Sequence, residues 1–155
     1  VFVISAVILS NGLIAQDEEI IARLGSIQLL SKNKESCSYR EILEKYRVVI
    51  FASIEDCSTC ISGNAPWIQM LRSRHVSACF VILHKSFRVA RYFHQTSPLP
   101  FDWYCDTTKN MMQVIGNRNT PIVLIVDSDG RQLFFDNPLY QMKRFSGLIE
   151  AVHLQ

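Results

Sequence analysis

Cys57 and Cys60, in the stretch Asp56-Cys57-Ser58-Thr59-Cys60, are the side chains whose type and spacing could do chemistry. Two thiols separated by two residues can close a small disulfide ring. Where such a pair opens a helix, the unpaired N–H groups of the first turn stabilise a thiolate on the first sulfur. Cys57 is then the expected nucleophile, attacking a substrate disulfide to form a mixed disulfide. Cys60, one turn inward, is the expected resolving thiol. Glu55 and Asp56 put negative charge beside the attacking sulfur, which raises a thiol pKa and opposes the helix terminus. They are candidate pKa modulators, and the pair is expected to be a moderate, reducing couple. The same two acids would also serve as ordinary caps of the helix.

The remaining cysteines, at 37, 79 and 105, are isolated, and a total of five cannot all pair within one chain. This is no disulfide scaffold. A four-cysteine zinc site would want two close-spaced pairs, and no His pair stands at ligand spacing to replace one, so neither a metal nor a cofactor is expected. Cys79 lies in an apolar run and reads as a small buried packing residue. Cys37 and Cys105 receive no role. Of the scattered histidines, His84 alone closes a strand at the edge where α/β sites gather. A formal net charge of +2, with Lys and Arg scattered along the chain, gives no footprint for a nucleic-acid partner.

The cysteine pair needs a strand to deliver it and a helix to carry it. Val48-Val49-Ile50-Phe51-Ala52 is a continuous apolar, β-branched run, which suits a central strand covered on both faces. From Ser58 onward Ile61, Ala65, Ile68 and Leu71 recur at helical intervals, and Pro66 among them predicts a kink. Further along, Ser77–Leu83 reads as a strand, Ser86–Gln95 as a helix ended by Pro98 and Pro100, and Phe101–Tyr104 as a short strand. Asp106 or Thr107 can cap a helix carrying Met111, Met112 and Ile115, which Gly116 stops. Ile122–Val126 and Arg131–Phe135 flank the turn Asp127-Ser128-Asp129-Gly130 as an antiparallel hairpin. Met142, Phe145, Ile149 and Val152 mark a closing amphipathic helix. Upstream, Gln16–Gly25 reads as a short helix, Ser26–Leu30 as a strand, Ser31–Ser38 as a loop and Tyr39–Tyr46 as a helix. This order calls for an α/β protein with a mixed central sheet flanked by helices on both faces.

Val48 to Cys60, the helix with Pro66, and Asn119-Thr120-Pro121 leading into Ile122–Val126 and Asp127-Ser128-Asp129-Gly130 together resemble the thioredoxin superfamily. The likeness is greatest to its exported, TlpA/ResA-like branch of thiol-disulfide oxidoreductases, the AhpC/TSA-redoxin type, and spans Val48 to His153. It implies a thioredoxin-like three-layer fold. It also implies that Pro121 follows a cis peptide and packs beside the cysteines, and that the Thr120 backbone receives the substrate chain. From the residues alone an X-Pro bond would be read as trans. Several positions depart from the family pattern. Asp56 stands where an aromatic residue usually precedes the first cysteine, Ser58-Thr59 lacks the frequent proline, and Pro66 comes one residue late, with Gly63 a candidate for absorbing the shift. Phe51 occupies the position of the buried acid of thioredoxin itself.

Residues 1–15 form an apolar run too short to span a bilayer, ending in small and polar residues before Gln16-Asp17-Glu18-Glu19, and resemble an export signal or anchor, a reading set ahead of a buried strand at the edge of the fold. The expected organisation is therefore this segment, an N-terminal lead-in over 16–47, and a thioredoxin-like domain over 48–155. An exported protein, periplasmic or anchored through residues 1–15 and facing the periplasm, would exchange or reduce protein disulfides and take electrons from a redox partner protein. The alternative is a non-catalytic thioredoxin-like binding module in which a Cys57–Cys60 disulfide is structural and the surface around Pro121 binds a partner.

Overall fold

The computed structural model describes residues 23–55, 61–108, 110–116 and 118–153. The strands are β1 (Gln28–Ser31), β2 (Ser36–Ser38), β3 (Val48–Ala52), β4 (Ala78–Leu83), β5 (Asp102–Asp106), β6 (Ile122–Val126) and β7 (Gln132–Asp136). They form one sheet in the order β2-β1-β5-β4-β3-β6-β7. β3, β4 and β5 run parallel, whereas β6 pairs antiparallel with both β3 and β7, and β1 antiparallel with β2 and β5. The expected mixed sheet is present, and its chemistry explains its arrangement. Every residue of β3, β4 and β6 is buried, because an all-apolar strand needs cover on both faces.

The cover comes from α1 (Tyr39–Lys45), α2 (Pro66–Ser73), α3 (Phe87–Thr96), α4 (Asn110–Ile115) and α5 (Met142–His153). On one face Trp67, Ile68 and Leu71 of α2, Ala90 of α3 and Phe145 and Ile149 of α5 meet Ile50, Phe80 and Val123. On the other, Tyr39 and Ile42 of α1 and Met111 and Ile115 of α4 meet Val49, Val81 and Leu124. Each side chain so buried contributes roughly 1.5–3 kcal/mol. The described part of the 16–47 stretch joins the same sheet through β1 and β2. Of the helix read over Gln16–Gly25, only residues 23–25 are described; they are helical, and Leu24 is buried.

Two readings of the sequence need correction. Ser31–Ser38 is not all loop, because Ser36–Ser38 pairs with β1; its Ser-Cys-Ser composition carries no apolar signal, and backbone pairing alone makes it a strand. Pro66 does not kink a continuous helix. It is the first residue of α2, with Ala65 as N-cap, and residues 62–65 form a turn and bends. A proline at the first helical position lacks only an N–H that would have no intrahelical partner there. Trp67, the next residue of α2, is fully buried against Phe145.

α1 starts from a capping box, in which Ser38 Oγ accepts from the Glu41 N–H and the Glu41 carboxylate accepts from the Ser38 N–H. α1 is tied to β5 through Tyr46, whose hydroxyl donates to Asp102 Oδ2 at 2.8 Å, while Lys32 Nζ lies 3.1 Å from Asp102 Oδ1. The Tyr46 hydroxyl and the Lys32 ammonium hold the Asp102 carboxyl below the usual aspartate range. Since the folded state lowers this pKa, the stabilisation is present above the unfolded value and is lost as pH falls through the folded one. Asp102→Asn should therefore flatten the acid limb of a stability–pH curve measured by urea unfolding. With the Asp102 side chain 42% exposed, solvent screening limits its cost at neutral pH to about 0.5–1 kcal/mol.

Candidate redox site

Parallel β3 and β4 end on the same side of the sheet, and the chain leaving β3 passes Ser53, Ile54 and Glu55 before reaching Asp56 and Cys57. Asp56, Cys57 and Cys60 lie outside the described residues. Glu55 is exposed, and its backbone N–H donates to Ser53 Oγ at 3.2 Å. On the far side of the pair, Ile61 is bonded directly to Cys60 and is buried in the core beneath α2, with Ala65 and Ile68.

β6 pairs with β3 in the register Phe51↔Ile122, so the residues just before β6 stand beside the end of β3 that leads to Cys57. Those residues are Thr120 and Pro121. Their peptide bond is cis, Pro121 is buried and Thr120 is half-buried.

Sequence reasoning missed the turn between β7 and α5. Asn137 is 4% exposed; its Nδ2 donates to the Asn119 carbonyl at 3.3 Å and its Oδ1 accepts from the Leu139 N–H at 2.9 Å. It thereby ties this turn to the chain that precedes Thr120. The turn leaves Leu139 and Tyr140 exposed, at 45% and 72%. An Asn-Pro dipeptide marks a turn in sequence, but the partner of its side chain is set only by the fold.

His84 is engaged locally, with its Nδ1 accepting from the Ser86 N–H at 3.0 Å as the chain turns into α3. Cys37, Cys79 and Cys105 are free thiols. Burial pushes the Cys105 thiol up to about 11, with the Asp106 carboxylate adding to the effect. Burial raises Cys79 well above its ordinary value, and burial together with Glu41 raises the half-buried Cys37. At neutral pH a thiol of pKa about 11 is only ~10⁻⁴ thiolate, against roughly 3% for an unperturbed cysteine. Iodoacetamide at pH 7 should therefore leave Cys79 and Cys105 unmodified in the native protein and label them only after unfolding, as read by peptide mass. Among the described residues no cluster of three or more His, Cys, Asp and Glu could hold a metal, and no helix is long and apolar enough to cross a membrane.

Neither a protein-family model nor a curated protein matches the sequence. Solved structures do resemble it in three dimensions. DsbF of MTB superposes with a TM-score of 0.59 at 20% identity, covering 83% of this chain and 97% of that one. A secreted Mycobacterium tuberculosis disulfide oxidoreductase homologous to E. coli DsbE gives 0.61 at 16% identity, covering 84% and 98%. The pneumococcal exposed lipoprotein thioredoxin from Streptococcus pneumoniae gives 0.59 at 12%, covering 81% and 98%. At these identities the likeness establishes the fold: the chain is thioredoxin-like.

Proposed function

Taking the thioredoxin-like fold as the premise, we propose that the chain is a thiol-disulfide oxidoreductase working through Cys57 and Cys60. One observation carries the reading: a Cys-x-x-Cys follows β3 in the sequence, and the end of β3 lies beside the start of β6, which the cis Thr120–Pro121 peptide precedes. In the proposed reaction the Cys57 thiolate attacks one sulfur of a protein disulfide and expels the other as a thiolate, forming a mixed disulfide. Cys60, deprotonated, then attacks the Cys57 sulfur and releases the second substrate thiolate. The substrate gains two electrons and two protons, and the protein is left with a Cys57–Cys60 disulfide that a thiol-donating redox partner must reduce. The Thr120 backbone would hold the substrate chain. Glu55 and Asp56 would temper the acidity of Cys57 and so make the couple reducing. Export of the chain, through the apolar residues 1–15, is supported by the secreted and surface-exposed nature of two structural relatives.

Equilibration in a glutathione buffer of glutaredoxin-like poise, followed by alkylation and weighing of the peptide that contains Cys57 and Cys60, tests this directly. The peptide should run at its disulfide mass and gain two alkyl groups only after prior reduction. A peptide alkylated twice without reduction would overturn the reducing couple, and one that never forms the disulfide under any oxidant would overturn the redox reading itself. The Ser58-Thr59 interior and the missing aromatic at Asp56 favour a second reading, a binding module with a structural disulfide. That reading expects no turnover with any substrate.

A further inference from the structure

The residues that follow Cys60 form one wall of a groove of about 320 Å³. Ile61, Ser62 and Asn64 face Phe93 and Ser97, from the end of α3, and Leu99 beyond it. The floor is apolar, because Ile61 and Leu99 are buried and Phe93 packs on the core. Ser62, Asn64 and Ser97 give the rim hydrogen-bonding capacity. His94 Nδ1 accepts from the Leu99 N–H at 3.2 Å and so anchors the far wall.

Charge along the segment that builds this groove is one-sided in the sequence. From Ile61 through Phe101 the chain carries Arg72, Arg74, Lys85, Arg88 and Arg91 and no Asp or Glu. α5, on the same face of the sheet, adds Lys143 and Arg144, and its one acid, Glu150, is paired with Arg74 at 3.1 Å. Most of these cations are carried by α2, α3 and α5, which pack on the same face of the sheet. Arg72 reaches the turn that builds the near wall: a Cβ on Gly63, between Ser62 and Asn64, would lie 3.4 Å from its Nη1 and 3.7 Å from Pro100. Among the described residues no carboxylate lies within ion-pair distance of Arg72.

We infer that this groove binds an acidic segment of the substrate polypeptide, with an apolar side chain on the Ile61–Leu99 floor and an Asp or Glu beside Arg72. The inference rests on the proposed redox function, since it makes the groove the recognition site for the chain whose disulfide Cys57 attacks. A polypeptide fits better than a lipid surface because the apolar contact is recessed between two walls, whereas a bilayer needs apolar groups that project. An exposed arginine beside a partly desolvated groove, with no carboxylate of the described residues paired to it, gives discrimination by charge sign, which weakens with salt.

Fluorescence anisotropy with short, cysteine-free peptides of identical apolar residues, one bearing glutamates and the other lysines, tests the inference on the full chain. At low ionic strength the glutamate peptide should bind at least about tenfold more tightly, a difference of ~1.4 kcal/mol. Arg72→Glu should abolish or reverse the preference, and Asn64→Trp, which fills the groove from its exposed rim, should weaken both peptides. Arg72→Gln reads the same contact should the charge reversal fail to fold by circular dichroism. Equal affinity for the two peptides, or an undiminished preference in the Arg72 variants, would overturn it. So would Arg72-dependent binding to phosphatidylglycerol vesicles without binding of the glutamate peptide. Because the peptides contain no sulfur, their binding reports on the groove whether or not Cys57 is reactive, and insulin reduction by the unaltered protein reports on Cys57 whether or not the groove is used.

Discussion

Cys57→Ser should reduce dithiothreitol-driven insulin reduction to the rate given by dithiothreitol alone, a loss of about 10³-fold or more in protein-dependent turnover. A serine hydroxyl cannot become a sulfur nucleophile, so no mixed disulfide forms and nothing remains for Cys60 to resolve. Cys60→Ser should behave differently. The first attack still occurs, but the mixed disulfide persists, and a covalent adduct with the substrate should be retained on non-reducing gels and vanish on reduction. The asymmetry between the two variants is the informative result, because a structural disulfide would make them equivalent. Indistinguishable variants, or an unaltered protein no faster than dithiothreitol by itself, would leave the binding-module reading in place.

Phe51→Ala should destabilise the protein by about 3–5 kcal/mol, or roughly 2–4 °C in Tm for each kcal/mol in a domain of this size. Phe51 is fully buried, stacks on Tyr39 at 6.1 Å and meets Phe135 edge-on at 6.1 Å. Truncation therefore removes two aromatic contacts as well as buried area. Phe51→Asp carries a sharper prediction. The introduced carboxyl would sit among aromatic rings, where burial favours the neutral form and raises its pKa in the folded state. The folded state then holds the proton more tightly than the unfolded one, so stability should fall as pH rises from the ordinary aspartate value towards the raised one. Urea unfolding at a series of pH values checks this; a flat difference from the unaltered protein across that range would mean that the cage is wetter than its burial implies. Either outcome bears on why a chain with this fold keeps an aromatic ring where thioredoxin has an acid.

The strands were the most legible part of the fold. Val48–Ala52 and Ile122–Val126 are apolar throughout because each is buried on both faces, and such runs are visible without knowledge of their neighbours. Helix starts were legible where a side chain makes the cap: Ser86 accepts from the Val89 N–H, and Asp106 from the Met111 N–H. Pro66 misled because Ile61, Ala65, Ile68 and Leu71 keep a helical spacing although the turn at 62–65 interrupts the helix. Ser36–Ser38 was invisible because its pairing is entirely backbone. For the site, Pro121 was reached through resemblance, and its position beside the end of β3 follows from the β3–β6 register. Asn137 could not be found, since its importance depends on the Asn119 carbonyl, which is distant in sequence and close only after folding. The approach of Arg72 to the Gly63 turn was hidden for the same reason.

The interior position of β3 has a consequence for how the chain is made. One of its neighbours, β4, follows soon after it, but the other is β6, and Val48 meets Ile125 only after every residue between them has been added. Ribosomes add about 5–20 residues per second, so the segment Val48–Ala52 emerges seconds before its second partner, uncharged and strongly inclined to pair with any open edge. During that interval the exposed strand favours capture by a holdase chaperone, and a nascent chain arrested before Ile122 should be less soluble than one that carries β6.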